Sequence, residues 1–334
     1  MLNFSLMGAG RIGKMHAKNI AMHSKCNLTY IYDINQDLAN EVAKQNEAQV
    51  VQSAEEAINS KDVDVVFIAS ATPSHIDFIT MGANAGKAIF CEKPIDLDIE
   101  NVNKCFETVK DIDVPIQIGF NRRFDNSHKS LKLAKDNGQI GKLEMVVITS
   151  RDPEPPGIDY LKAAGGVFRD MTIHDFDLSR FILGNDPIVE VCAYGGQLVS
   201  EECRQIGDHD TAMLIMRSQQ GVLIHINNSR RAVYGYDQRL EIFGSKGMMI
   251  SNNQFPTSVE VFNKNNTYAK DLIHFFFIER YDQAYKDQLD DFVNIISSNK
   301  KPSVTFEDGR NALILANAAY ESLESGKSVK VNFN

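Results

Sequence analysis

The stretch "GAGRIG" at residues 8–13 follows directly on the apolar run 2–7 and opens the polar–apolar run "RIGKMHAKNIAM". Three glycines in G-x-G-x-x-G spacing, between a strand and a helix, leave a chain few alternatives. Gly8 permits a tight turn, Gly10 lets the backbone approach a pyrophosphate, and Gly13 lets helix and sheet pack closely. The helix start, at Arg11 and Ile12, offers unpaired N–H groups and a positive dipole end to phosphates. The run "CNLTYIY" reads as a second strand and ends on Asp33, 20 residues past Gly13. That is where the acid that accepts hydrogen bonds from the adenosine ribose belongs, and its charge would repel a 2′-phosphate. NAD is therefore expected rather than NADP.

The alternation continues through the first third. Residues 62–70 read as a buried strand, 73–86 as a helix ending in Gly86, and 87–92 as another strand. A further helix spans 96–113, with Asp96 or Asp98 able to cap it, and 114–120 closes the series as a strand. Alternating strands and helices imply a parallel sheet covered on both faces, with ligands beyond the carboxyl ends of the strands. "ATPSH" (71–75) and "CEKP" (91–94) lie at such ends, which makes Thr72, Pro73, His75, Glu92 and Lys93 candidates for the cofactor site.

Near Gly119 the pattern changes. Strand-like runs separated by Gly, Asn and Ser turns follow ("KLEMVVITSR", "IVEVCAYGG", "DTAMLIMRS", "GVLIHINNSRR", "QRLEIFGS", "GMMISNN"), and then two helical segments. The expected organisation is α/β overall: residues 1–119 as a dinucleotide-binding Rossmann domain with a parallel sheet, and 120–334 as an α+β domain. A length of 334 residues is enough for two separate cores.

Composition narrows the partners. A net charge of −9 argues against nucleic acid or an anionic membrane surface, and the pairs Arg122–Arg123 and Arg230–Arg231 are too small to overturn that. No apolar run approaches the roughly 20 residues of a membrane span. Five widely spaced cysteines form no redox dithiol and no zinc-ligand set, so no metal is expected and the cysteines read as free thiols of a cytoplasmic protein.

One helical run, "FRDMTIHDFD" (168–177), interrupts its apolar stripe with three acids and a histidine. Asp170 and His174, four apart on a single helix, would share a face. Such a run is either a solvated surface helix or the carrier of a proton-handling pair. Asp175 and Asp177 read as ordinary charges and are left unassigned.

Taken together, "MGAGRIG", "YDIN", "TPSH", "GKAIFCEKPIDLD" and "FRDMTIHDFDLSRF" resemble the family named for glucose–fructose oxidoreductase, inositol dehydrogenase and rhizopine catabolism proteins, over essentially the whole chain. Within it, residues 151–184 and "GFNRRFD" (119–125) are most similar to inositol 2-dehydrogenases. The resemblance implies a C-terminal α+β domain with an open, mainly antiparallel sheet that supports oligomer contacts, a tetramer, and a polyol or cyclitol substrate. It places Lys93, Asp170 and His174 in the catalytic roles, and it makes a cis Lys93–Pro94 bond plausible where the sequence alone leaves that open. The implied reaction is oxidation of a secondary alcohol of myo-inositol to an inosose.

The chemistry suits those residue types. Hydride goes to the cofactor and the protein handles the proton. His174 titrates near neutrality and is the best base. Asp170 could orient the imidazole, and Lys93 could stabilise developing negative charge on the reacting oxygen. A carboxylate raises a histidine pKa and an ammonium lowers it, a balance suited to a reversible reaction. The three side chains, remote along the chain, are expected to converge where the nicotinamide exposes its reactive carbon. Arg122, Asp152, Thr172, Tyr234 and Tyr236 are candidates for holding cyclitol hydroxyls, although Arg122 and Asp152 could equally pair on the surface and the tyrosines pack in the core. His16 and His209 are less informative. The alternatives are the same chemistry on another inositol stereoisomer or an aldopyranose, or a non-catalytic NAD-binding regulator.

Overall fold

Six strands of the first unit form one parallel sheet: β1 (Leu2–Met7), β2 (Cys26–Tyr32), β3 (Gln49–Val50), β4 (Val65–Ile68), β5 (Ala88–Cys91) and β6 (Ile116–Ile118). Their spatial order is β3-β2-β1-β4-β5-β6, so the order in which strands are added reverses between β1 and β4. In an open α/β sheet, that switch point is where ligands bind. β4 and β5 are buried at every position, as strands covered on both faces must be.

Most helices lie where the patterns put them. Asp98, rather than Asp96, caps the helix Ile99–Val109: its carboxylate accepts from the Glu100 N–H at 2.9 Å. Among the helices that the patterns did not mark are Gln36–Asn46, Ala54–Asn59 and Asn126–Asp136. Each begins at a side chain that accepts its first free N–H groups, namely Asn35, Ser53 and Asp125.

The second sheet is assembled from β7 (Leu143–Arg151), β8 (Ile188–Gly196), β9 (Thr211–Ser218), β10 (Leu223–Ser229), β11 (Asp237–Gly244) and β12 (Gly247–Ser251). A short hairpin of β13 (Glu260–Val261) and β14 (Ala269–Lys270) stands apart, and β15 (Val329–Lys330) completes the sheet. The order is β12-β11-β7-β10-β9-β8-β15, antiparallel except where β10 runs parallel to β7. One face packs on a core that includes Phe168, Phe176 and Ile182, and the other is open, with Met145, Met213, Ile215, Leu223, Met248 and Ile250 exposed.

The computed structural model describes residues 1–333. Its two units are Met1–Asn121 with Gln283–Asn311, and Arg122–Asp282 with the chain from Ala312 onward. A continuous second domain from residue 120 is therefore not what forms. The chain returns to the first unit because Leu289, Phe292 and Val293, on the helix Asp282–Ser298, fill the same core as Phe67 and Phe90. The Phe90 and Phe292 rings meet edge to face at 5.7 Å, an arrangement worth about 1 kcal/mol beyond the area it buries.

Candidate active site

In the first unit, the loop after β1 is shaped by two glycines. Gly8 has φ +106°, and a Cβ there would lie 2.6 Å from the Ser70 backbone. A Cβ on Gly13 would lie 2.1 Å from the Gly8 carbonyl, so the helix Arg11–Met22 reaches the strand only without one. Gly10 differs: a Cβ there would meet nothing within 4 Å. No side chain caps this helix and no acid sits in its first turn, so its N–H groups and positive dipole end face an open cradle. Those features fit a pyrophosphate. Arg11 is exposed and Ile12 half-buried beside the cradle.

Asp33 stands at the end of β2, where one carboxylate oxygen accepts from the Ala9 N–H at 2.7 Å and the other from the Asn35 N–H at 2.7 Å. It therefore ties the glycine loop to β2 and keeps its charge beside it. Thr72 and Pro73 lie in a short 3-10 turn, Thr72–Ser74, beyond β4 and across the switch point from Gly8. His75 and Glu92 have their side chains committed inward. The His75 ring lies between the carbonyls of Pro94 (2.8 Å) and Ser70 (3.1 Å), and burial lowers its pKa. The Glu92 carboxylate meets His16 Nε2 at 2.7 Å. Lys93, which follows Glu92, is half-buried, and the Lys93–Pro94 peptide is cis.

In the second unit, Asp170 and His174 do not share one regular helix. Asp170 ends the helix Val167–Asp170, and His174 lies in the first turn of Ile173–Leu183. At the break the Thr172 N–H reaches back five residues to Val167, and the His174 N–H only three, to Met171. Thr172 is anchored there by its hydroxyl, which donates to Asn228 at 2.7 Å. Interruptions of this kind concentrate at functional sites. Between Met171 and Ser179, His174 is the single residue that is not buried.

Asp170 is held by two groups that sequence reasoning missed. Tyr160 donates its hydroxyl to Oδ1 at 2.7 Å, and both Nη atoms of the buried Arg230 reach Oδ2 at 3.2 Å. Asp175 and Asp177 are not ordinary surface charges either. Asp175 is fully buried, bonded to Arg122 at 2.5 Å and to Asn228 at 2.8 Å, while Asp177 forms a two-toothed pair with Arg123. A buried carboxylate persists only with such partners.

This assembly settles where the hydroxyl-binding candidates lie. Arg122 does not pair on the surface: it is buried, donating to Asp175, Ser150 and Tyr236. Burial opposes its charge, but Tyr281, Asp175, Tyr236 and Asp152 around it outweigh that and raise its pKa. Thr172 and Tyr236 are buried in the same network. Asp152 is half-buried, and its charge acts on both Arg122 and Arg230. Tyr234 is largely apart, donating to Asp237 and accepting from Arg151. A signal for Asn228 and Arg230 existed: Ile224, Ile226, Asn228 and Arg230 alternate onto the buried side of β10 and its extension, so two polar residues occupy inward positions. Among the described residues, no cluster of His, Cys, Asp and Glu could hold a metal ion, and no helix is long and apolar enough to cross a membrane.

Comparison with known proteins agrees with both halves. The family described as an oxidoreductase family with an NAD-binding Rossmann fold matches residues 2–120, and the GFO/IDH/MocA C-terminal domain matches 128–250. The chain is 42% identical to an inositol 2-dehydrogenase of Rhizobium meliloti over 99% of each chain. It superposes on a myo-inositol dehydrogenase of Corynebacterium glutamicum with a TM-score of 0.96, at 45% identity and 99% coverage of both. A scyllo-inositol dehydrogenase of Lactobacillus casei, solved with bound NAD(H) and scyllo-inositol, gives 0.92 at 30% identity and 99% coverage of both. With its glycine cradle, its Asp33 and these relatives, the chain belongs to the GFO/IDH/MocA family as an NAD-dependent oxidoreductase.

Proposed function

We propose that this enzyme oxidises myo-inositol at one secondary alcohol, producing an inosose and NADH. The observation that carries the proton-handling part is the pairing in sequence of a carboxylate held on both oxygens, Asp170, with the one residue of its segment that reaches the surface, His174. The substrate reading rests on the inositol 2-dehydrogenase at 42% identity and the myo-inositol dehydrogenase at 45%.

The glycine cradle would hold NAD, which would supply the acceptor for the hydride of the carbinol carbon. His174 removes the hydroxyl proton and passes it to water, so that the alcohol loses two electrons and two hydrogens in total. Asp170, paired with Arg230, balances the imidazolium that forms. Lys93 donates to the reacting oxygen and stabilises its developing charge. Asp152 accepts from ring hydroxyls, while Arg122, Thr172 and Tyr236 fix the surface behind it. Gly8, Gly10, Gly13 and Asp33, with Arg11, Ile12, Thr72 and Pro73, hold the cofactor.

Purified protein with NAD and a panel of myo-inositol, scyllo-inositol and aldopyranoses is the direct test. Turnover fastest with myo-inositol is the expected result. Faster turnover of another isomer reassigns the substrate, and no NADH with any polyol returns the chain to an NAD-binding regulator. We further propose a cytoplasmic homo-oligomer, a tetramer by family likeness. Its support is the open sheet face with Met213, Ile215 and Leu223 and the five free cysteines. Light scattering of Ile215→Asp, expected to be smaller than the parent assembly, checks it.

A further inference from the structure

His16 and His75 lie outside the chemistry assigned above, yet both are buried, at 2% and 1% exposure, and both bond a neighbour of Lys93. His16 sits on the helix Arg11–Met22, one turn past Gly13, and its Nε2 meets Glu92 Oε1 at 2.7 Å. Its ring is enclosed by Phe67, Phe90 and Tyr285, with centroids at 4.5, 5.8 and 5.5 Å. The other Glu92 oxygen lies against Gly119, where a Cβ would come within 2.8 Å of it. The carboxylate therefore has one place to sit.

On the far side of the lysine, His75 Nδ1 lies 2.8 Å from the Pro94 carbonyl. Its Nε2 lies 3.1 Å from the Ser70 carbonyl, so both ring nitrogens are fastened to backbone oxygens and the ring has one place to sit. The residue before Lys93 and the residue after it are thus each fastened by a different helix of the same unit, since His75 opens the helix His75–Asn84.

We propose that His16 and His75 are positioning residues for Lys93: by fixing Glu92 and Pro94 from two helices, they set where the lysine ammonium reaches. The brace also ties the lysine to the cofactor-binding helix, so that ammonium and cradle keep one geometry. It rests on the reading that Lys93 acts on the reacting oxygen. A misplacement of about 1 Å in a reacting group costs on the order of 100-fold in rate, so a brace of this kind is felt in turnover before it is felt in binding.

The test measures kcat and KM with inositol, together with NAD affinity by nucleotide fluorescence, in His75→Ala, His16→Leu and His16→Gln. For His75→Ala and His16→Leu, kcat is expected to fall on the order of 10–100-fold, with the NAD Kd changing less than about twofold. His16→Gln keeps a donor for Glu92 and is expected to recover most of the loss. In a Lys93→Ala background the same histidine changes are expected to cost nothing further, because effects transmitted through one group do not add. Histidine losses that add fully to that of Lys93→Ala, or kcat per folded molecule that is unchanged, overturn the brace. Undiminished turnover in Lys93→Ala instead removes the role of the lysine itself, and the two failures are told apart by that one variant. Should His75→Ala not fold, the His16→Leu cycle decides alone.

Discussion

Glu92 in the first unit and Asp170 in the second are both carboxylates with little exposure, yet they are kept by different partners. Glu92 meets an imidazole inside an aromatic enclosure, and Asp170 meets a guanidinium and a phenol. A histidine–carboxylate pair can give up or share its proton, whereas arginine stays charged. The first arrangement fixes position without fixing charge, which suits a structural tie. The second fixes charge, which suits a group expected to balance an imidazolium. Asp175 with Arg122 and Asp177 with Arg123 are again carboxylate–guanidinium pairs, so the unit that carries His174 is built around permanent guanidinium ions.

The largest expected effect probes the fixed-charge side. His174→Ala should lower kcat about 10²–10⁴-fold with NAD binding intact, measured by steady-state kinetics. A loss under tenfold would mean the permanent ions serve packing alone. Stability then separates the two carboxylates. Arg230→Met takes the guanidinium away from the buried Asp170 and should cost about 3–5 kcal/mol. His16→Leu removes a hydrogen-bond partner from the little-exposed Glu92 and should cost about 1–3 kcal/mol. Urea unfolding of both variants decides, and the reverse order would break the contrast.

His128 sharpens it further, as a proton-labile group within the charged unit. Burial, with Arg280 and Arg122 nearby, holds its pKa down to about 4 from the ordinary 6.5, against the pull of Asp125. Between those values the unfolded chain binds a proton that the folded one refuses, so stability rises with pH in that window. It is lost as pH falls from 6.5 toward 4, with a slope of at most about 1.4 kcal/mol per pH unit from this group. Melting curves of His128→Gln should show the flatter dependence. The smallest effect concerns the first unit, where local signals dominate: Asp98→Ala should cost about 1 kcal/mol by removing a helix cap, with no change in kcat.

The same contrast explains what could be read beforehand. The glycine loop, Asp33 and the βα alternation are local: each glycine's role follows from its own backbone and nearest neighbours, so spacing revealed the parallel sheet and its cofactor, but not the later segment Gln283–Asn311 that joins them. The anchors of the second unit join residues far apart, Asp170 to Arg230 and Arg122 to Asp175, and no window of sequence contains both partners. The alternation in β10 did point inward at Asn228 and Arg230, but a pattern of faces names a buried residue without naming its partner. The break at Met171–Thr172 was hidden for the same reason: Thr172 is held by Asn228, on another strand. His16 was legible as a helix residue, and only its distance to Glu92 gave it a purpose.

The return of Gln283–Asn311 to the first unit has a practical consequence. A fragment cut near residue 120 would present the hollow left by Leu289, Phe292 and Val293 to solvent, so the nucleotide-binding half is not a module that can be expressed or exchanged as one piece. Chimaeras that trade cofactor preference between relatives must transplant both segments together, and during synthesis this half waits for the later one before its interior can close.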